Sequence, residues 1–315
     1  MPTLIPYAKP PLPHCLDALP RLQLPNLAAL LNLLQPVTQH QAEEDSLTPL
    51  PEKLQAQALG LPDADGLVPW AALQAQQLGL PECAQDAGWA WLSPCHWQVN
   101  SDHVRMASMD QARLSPDAAA ALLNTMRPYF TEDGITLHGW HQDRWLASGT
   151  VFRDLQTASL ARAAGGAVDH WLPRQPQARS LRRLQNEVQM LLYTHPVNDA
   201  RAAAGQLPIN SFWVSGTGTL PPTVRPGTTA QDAPILALQD AALRDDAPAW
   251  SQAWQALDGT LLATLLQQAK AGQQVQLTLC AENRATTFQP QRRSLWARLT
   301  GGRRTSDVAS VLQNL

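Results

Sequence analysis

Tyr193-Thr-His195-Pro-Val-Asn198-Asp-Ala-Arg201, continued through Gly205 to Asn210-Ser-Phe-Trp-Val-Ser215-Gly216-Thr-Gly218, is the stretch that decides the fold. Ahead of it, apolar residues at 181, 184, 188, 191 and 192 keep the spacing of one helix face. Pro196 cannot continue that helix and disfavours helical geometry at His195, so the helix ends there. Phe212-Trp-Val then reads as a short core strand, closed by a Ser-Gly-Thr-Gly loop. Helix, turn and strand in this order form one α/β unit.

Working outward, similar units recur. Thr3–Tyr7 suits a short strand, and 25–34 a buried helix that Asn26 is placed to cap. Residues 36–65 are acidic and loop-rich, with a helix at 52–59, and a further helix covers 70–78. Trp89-Ala-Trp91-Leu suits a buried strand. Ser115-Pro-Asp opens a helix to Met126, with Ser as cap and Pro in the first turn. Residues 135–138 and 144–147 pair as a hairpin, 151–180 make a surface excursion, 250–270 is one long helix, and 275–280 alternates as a strand. The expected fold is α/β: a parallel-rich layered sheet with helices on both faces. Residues 1–84 and 181–290 are expected to form the core, 85–180 a small inserted α+β lobe, and 291–315 a basic tail.

The 315 residues can bury a proper core, with 44% hydrophobic and 16% charged side chains. A net charge of −3 argues against a strongly basic nucleic-acid binder. The charge is uneven. Residues 1–100 hold three basic side chains (Lys9, Arg21, Lys53) against nine acidic ones, a net of −6. From Arg284 onward six Arg face only Asp307, a net of +5. Four scattered cysteines without CxxC spacing suit a reducing compartment. The proline-broken start lacks the pattern of a signal peptide, and no apolar run reaches about 18 residues. A cytoplasmic location is expected.

Two clusters could carry chemistry. In the first, His195, Asn198, Arg201, Asn210 and the Ser215-Gly216-Thr-Gly218 loop could hold an anion, with loop N–H groups and the Arg201 fork as donors. Alternatively these residues serve locally: His195 caps its helix, the asparagines hold turns, and the glycines permit a bend. The second cluster runs from Cys95-His96 to Arg105. In an extended segment His103 and Arg105 share a face and could join in anion binding. Cys95 with a histidine lacks a third orienting group for nucleophilic work and reads as a small buried hydrophobe. His138 with His141, and His170 beside Asp169, have spacings compatible with a metal but not diagnostic of one. The arginines at 292, 293, 298, 303 and 304, with Leu295, Trp296 and Leu299, could dock on an acidic partner, anionic lipid or RNA, or form a solvated tail that partly packs on the core.

His195-Pro-Val-Asn198-x-x-Arg201-x-x-x-Gly205-x-x-Pro208-x-Asn210 followed by Gly216-x-Gly218 resembles a segment of the archaeal-type cofactor-independent phosphoglycerate mutases, of the alkaline phosphatase superfamily. Leu24-Pro25-Asn26-Leu resembles an early helix start of that family. Over nearly its whole length the chain is similar to the bacterial RpfE-type regulatory proteins. That likeness rests on Trp89-Ala-Trp91-Leu-x-Pro-Cys-His-Trp-Gln-Val, on Leu184-Gln-Asn-Glu-x-Gln-Met-Leu-Leu-Tyr-Thr-His-Pro-Val-Asn, and on Asn210-Ser-Phe-Trp-x-Ser-Gly-Thr-Gly.

The mutase resemblance implies two divalent metals such as Mn or Zn, held by an Asp-Gly motif on the first strand and by later Asp and His ligands. Here Ile5-Pro6-Tyr7-Ala8 stands at that strand, the first acid is Asp17, and no histidine follows His195. The expectation is a non-catalytic regulatory or sensor protein on a degenerate mutase-like scaffold, without a cofactor, binding an anionic metabolite or a protein partner. The alternatives are a metal-dependent mutase or related phosphotransferase or hydrolase, and an interaction module acting through its Arg-rich tail.

Overall fold

The computed structural model describes residues 2–80, 87–222, 224, 233–290 and 307–315. Contacts divide the chain into two compact units: Met1–Glu44 with Pro49–Ala58 and Thr229–Leu315, and Asp45–Thr48 with Leu59–Thr228. Residues 45–48, 59–84 and 181–228, expected in the core, thus fold together with 85–180.

In the first unit, β1 (Pro2–Ile5) lies parallel to β9 (Gln276–Cys280). The next strand, β10 (Arg284–Pro290), runs antiparallel to β9 and to β2 (Leu34–Gln41), giving the order β1-β9-β10-β2. Alternation along β9 decides what each face meets. Leu277 and Leu279 turn with Ile5 toward Leu27 and Leu30 of α2 (Pro25–Leu31) and toward Trp250 and Trp254 of α10 (Ala247–Leu257). Cys280 turns the other way, with Leu4, to Leu50 and Leu54 of α3 (Leu50–Ala58). Helices therefore do cover both faces of this sheet.

Three local expectations are corrected here. Asn26 does not cap α2; it sits inside the first turn, and the backbone N–H groups of Asn26 and Leu27 are received by the buried carboxylate of Asp258 at 3.1 and 2.8 Å. The long helix at 250–270 is α10, a π-helical turn at Asp258–Leu262, and α11 (Ala263–Lys270). And 34–41 is a strand, not a loop. Its side chains are largely exposed on both faces, so no apolar alternation marks it. Pro36 is tolerated where the register shifts opposite Phe288.

The second unit is built on an antiparallel sheet in the order β6-β7-β3-β8: β3 (Trp89–Cys95), β6 (Thr136–His141), β7 (Arg144–Ser148) and β8 (Ser211–Gly218). Ala90, Leu92, Phe212 and Val214 face α5 (Pro116–Glu132) and α7 (Ala178–Tyr193). On the other face, Trp89 and Leu146 meet Ala71, Ala72 and Ala75 of α4 (Trp70–Gln77). A hairpin of β4 (Trp97–Val99) and β5 (Val104–Met106) follows β3 directly.

The α/β expectation holds, but both sheets are mixed or antiparallel rather than parallel-rich, with β1–β9 the parallel pair among the described strands. Helices do connect strands that run the same way, but those strands are not neighbours: α7 leads from β7 to β8, which lie on either side of β3 and both pair with it antiparallel. The basic tail is corrected in part: 307–315 carries α12 (Val308–Gln313), with Leu312 and Leu315 buried in the core of its unit. Residues 291–306, with the expected arginine cluster, lie outside the described residues.

Candidate functional site

His195 follows the end of α7 and caps α8 (Pro196–Ala203), a helix the sequence reading passed over. Its Nδ1 accepts the Val197 N–H at 3.2 Å, which leaves the ring proton on Nε2, 3.0 Å from Thr125 Oγ1. The Thr125 hydroxyl donates in turn to the Ala121 carbonyl at 3.0 Å. Both ring nitrogens are engaged.

Asn198 is buried and works as a clamp. Its amide donates to the carbonyls of Leu192 and Ile209 at 2.8 and 2.7 Å, while its oxygen accepts the Ile209 N–H at 2.8 Å. Arg201, also buried, donates to three carbonyls: Leu207 at 2.6 Å, Arg113 at 2.7 Å and Gln111 at 3.2 Å. Burial lowers its pKa from the ordinary arginine value. The fork that could have gripped an anion ties two loops together instead. Asn210 mimics a strand partner, accepting the Trp97 N–H at 2.7 Å and donating to the Trp97 carbonyl at 2.8 Å.

The expected glycine-rich loop is part of β8. Ser215 pairs with Trp91 and Gly218 with Trp89, so the two residues between them oppose Ala90 alone. This is a β-bulge, and Gly216 carries its left-handed φ of +63°. A Cβ there would stand 2.9 Å from the Trp91 ring. The backbone is spent on sheet pairing rather than turned outward to cradle an anion, because the strand continues through the glycines.

In the second cluster, His103 Nδ1 lies 2.7 Å from Asp102 Oδ1, and its Nε2 lies 3.1 Å from Asn100 Nδ2. Arg105 spends one N–H on the Gly165 carbonyl at 2.7 Å and otherwise faces solvent. Cys95 is buried, and loss of solvation pushes its pKa up, which removes the thiolate a nucleophile needs.

Two adjoining grooves flank these residues. The larger, about 1080 Å³, runs between Ser115–Ala118 at the start of α5 and Pro196–Arg201 of α8. The smaller, about 520 Å³, is lined by His96, Gln98, Arg105, Ser108 and Gln111 above Met106 and Leu207. Sequence reasoning reached Arg105 and passed near His96. It missed Ser108 and Gln111, which no motif marks and which only the hairpin and Arg201 bring into place.

The metal question can be tested on the donor set. Among the described residues no three His, Cys, Asp or Glu side chains stand together so as to hold a metal ion. His138 Nε2 pairs with Ser148 Oγ at 3.3 Å and its ring packs on Trp89, while Asp169 accepts the Val104 N–H at 2.9 Å. The described residues do not fit the two-metal centre that the mutase resemblance implies. Nor, among the described residues, is any helix long and apolar enough to cross a membrane.

The chain is thus a mixed α/β protein, and comparison with known proteins gives it a distant similarity to the cofactor-independent phosphoglycerate mutases. It is 25% identical over 125 residues to the 2,3-bisphosphoglycerate-independent phosphoglycerate mutase of Methanosarcina mazei, a match over 39% of this chain and 32% of that enzyme. Among solved structures, it is similar to the PH0037 protein of Pyrococcus horikoshii, at a TM-score of 0.48 and 13% identity, over 97% of this chain and 88% of that one. It is also similar to the cofactor-independent phosphoglycerate mutase of Thermoplasma acidophilum, at a TM-score of 0.36 and 14% identity, over 94% and 93%. No family model matches the chain.

Proposed function

We propose that this chain is a non-catalytic regulatory or sensor protein of the RpfE type on a phosphoglycerate-mutase-like scaffold, binding an anionic metabolite or a protein partner. One observation carries the reading. Within the run that resembles the mutases, Asn198, Arg201 and Asn210 direct their polar groups at backbone, and Gly216 sits in a sheet bulge. Two closely spaced metals are what stabilise the attacking and leaving oxygens in metal-assisted phosphoryl transfer. The acid-free first strand and the scattered His and Asp side chains supply no such pair among the described residues.

The test joins elemental analysis of the purified chain to an assay of phosphoglycerate interconversion with added Mn²⁺ or Zn²⁺. No turnover, with substoichiometric metal, is the expected result. Turnover that depends on bound metal would replace this reading with the mutase one.

A further inference from the structure

We propose that the smaller groove of the second unit is a binding site for small hydroxylated anions, with Arg105 taking the anionic group and His96 accepting a ligand hydroxyl. The proposal deepens the binding-protein reading and rests on it.

The chemistry starts at His96. Its Nδ1 lies 2.8 Å from the Pro208 carbonyl. A carbonyl can only accept, so Nδ1 carries the proton and neutral His96 presents a bare Nε2. That nitrogen has no partner among the described residues, and it repels an anion oxygen but accepts an O–H. Arg105 supplies the complementary charge: a single N–H is committed, to Gly165, which leaves a planar fork of donors.

The side-chain groups of Gln98, Ser108 and Gln111 also line the groove, and no acidic side chain does. The nearby carboxylates are turned to other partners: Asp102 to His103, Asp169 to the Val104 N–H, Asp110 to Arg113 at 3.2 Å. Leu207, half-buried, offers an apolar patch for a short carbon skeleton.

The frame is held before any ligand arrives. Gln98 and Arg105 face each other across the hairpin. Asn210 clamps Trp97, and the Ala107 and Met106 N–H groups reach the His96 and Gly166 carbonyls, each at 2.9 Å. A rigid constellation of this kind limits the ordering cost of binding.

Isothermal titration of the full chain with glycerol 3-phosphate and with D-glycerate separates a phosphate from a carboxylate ligand. Sulfate serves as an anion without hydroxyls, and glycerol as a hydroxyl compound without charge. At least one hydroxylated anion is expected to bind ten times more tightly than sulfate or glycerol. Arg105→Ala is expected to weaken that binding tenfold or more, and Arg105→Lys less. His96→Asn keeps a donor toward Pro208 but removes Nε2, so it should erase the preference over sulfate. Binding unchanged in Arg105→Ala and His96→Asn would overturn the site while leaving a binding protein. Neither hydroxylated anion binding would overturn it as well, whereas metal-dependent turnover would strike the parent reading alone.

Discussion

Asn198 shows how much a single buried amide can hold. Removing it as Asn198→Ala strands the Ile209 N–H and carbonyl without partners and takes one donor from the Leu192 carbonyl, which keeps the His195 N–H at 3.2 Å. An unmet buried polar group costs about 1–3 kcal/mol, so a loss of roughly 3 kcal/mol or more is expected in a urea titration. Gly216→Ala should cost about 2 kcal/mol by the same measurement, since its left-handed backbone and the Trp91 ring both reject a Cβ. A loss below about 0.5 kcal/mol in both variants would show that neither position is structural. Cys15 offers a pH test. Burial first, then the Asp245 charge, pushes its thiol from 9.0 up to about 12. The folded chain therefore keeps a proton that the unfolded chain releases, and the stability from this group is complete below the ordinary thiol value and falls as pH rises toward 12. The urea midpoint should drop above pH 9 in the wild type, and drop less in Cys15→Ala.

At the scale of elements, α2 depends on a residue more than two hundred positions away. Asp258 stands at the π-helical turn after α10 and receives two of the N–H groups that begin α2. A carboxylate there also complements the positive end of the helix dipole. Asp258→Ala should destabilise the first unit by roughly 2 kcal/mol, with Asp258→Asn recovering part of it, as read from denaturant midpoints. An unchanged midpoint in Asp258→Ala would mean that solvent satisfies those N–H groups equally well. The same logic recurs at α1 (Pro13–Ala18), whose first N–H groups reach the Asp245 carboxylate at 3.3 Å from His14 and 2.9 Å from Cys15. Burial alone would raise the Asp245 pKa, but these bonds and the His14 ring hold it below the usual carboxylate value.

For the whole molecule, the C-terminal helix changes how the basic tail should be probed. Lys9 Nζ donates to the Gln313 and Leu315 carbonyls at 2.8 and 2.9 Å, and Leu312 is fully buried. Deleting residues 308–315 should therefore cost about 3–6 kcal/mol, the burial of two leucines, and lower the calorimetric melting temperature. A melting temperature that does not move would show the helix to be undocked; replacing the arginines at 292–304 tests the interaction reading without touching it. Periodicity made α7, α4 and β9 legible, and the start of α5 declared itself through its Ser-Pro-Asp signature, because each of those signals is local. The edge strand β2 was not legible, since its side chains are exposed on both faces and leave no apolar pattern. The candidate site shows the same division. By itself the sequence determined which residue types were available in 195–218 and that the first strand carries no acid. Only the tertiary structure decided that Asn198, Arg201 and Asn210 turn inward to backbone while His96 and Arg105 line a groove, because hydrogen-bond partners far apart in the chain become neighbours only once the sheet has formed.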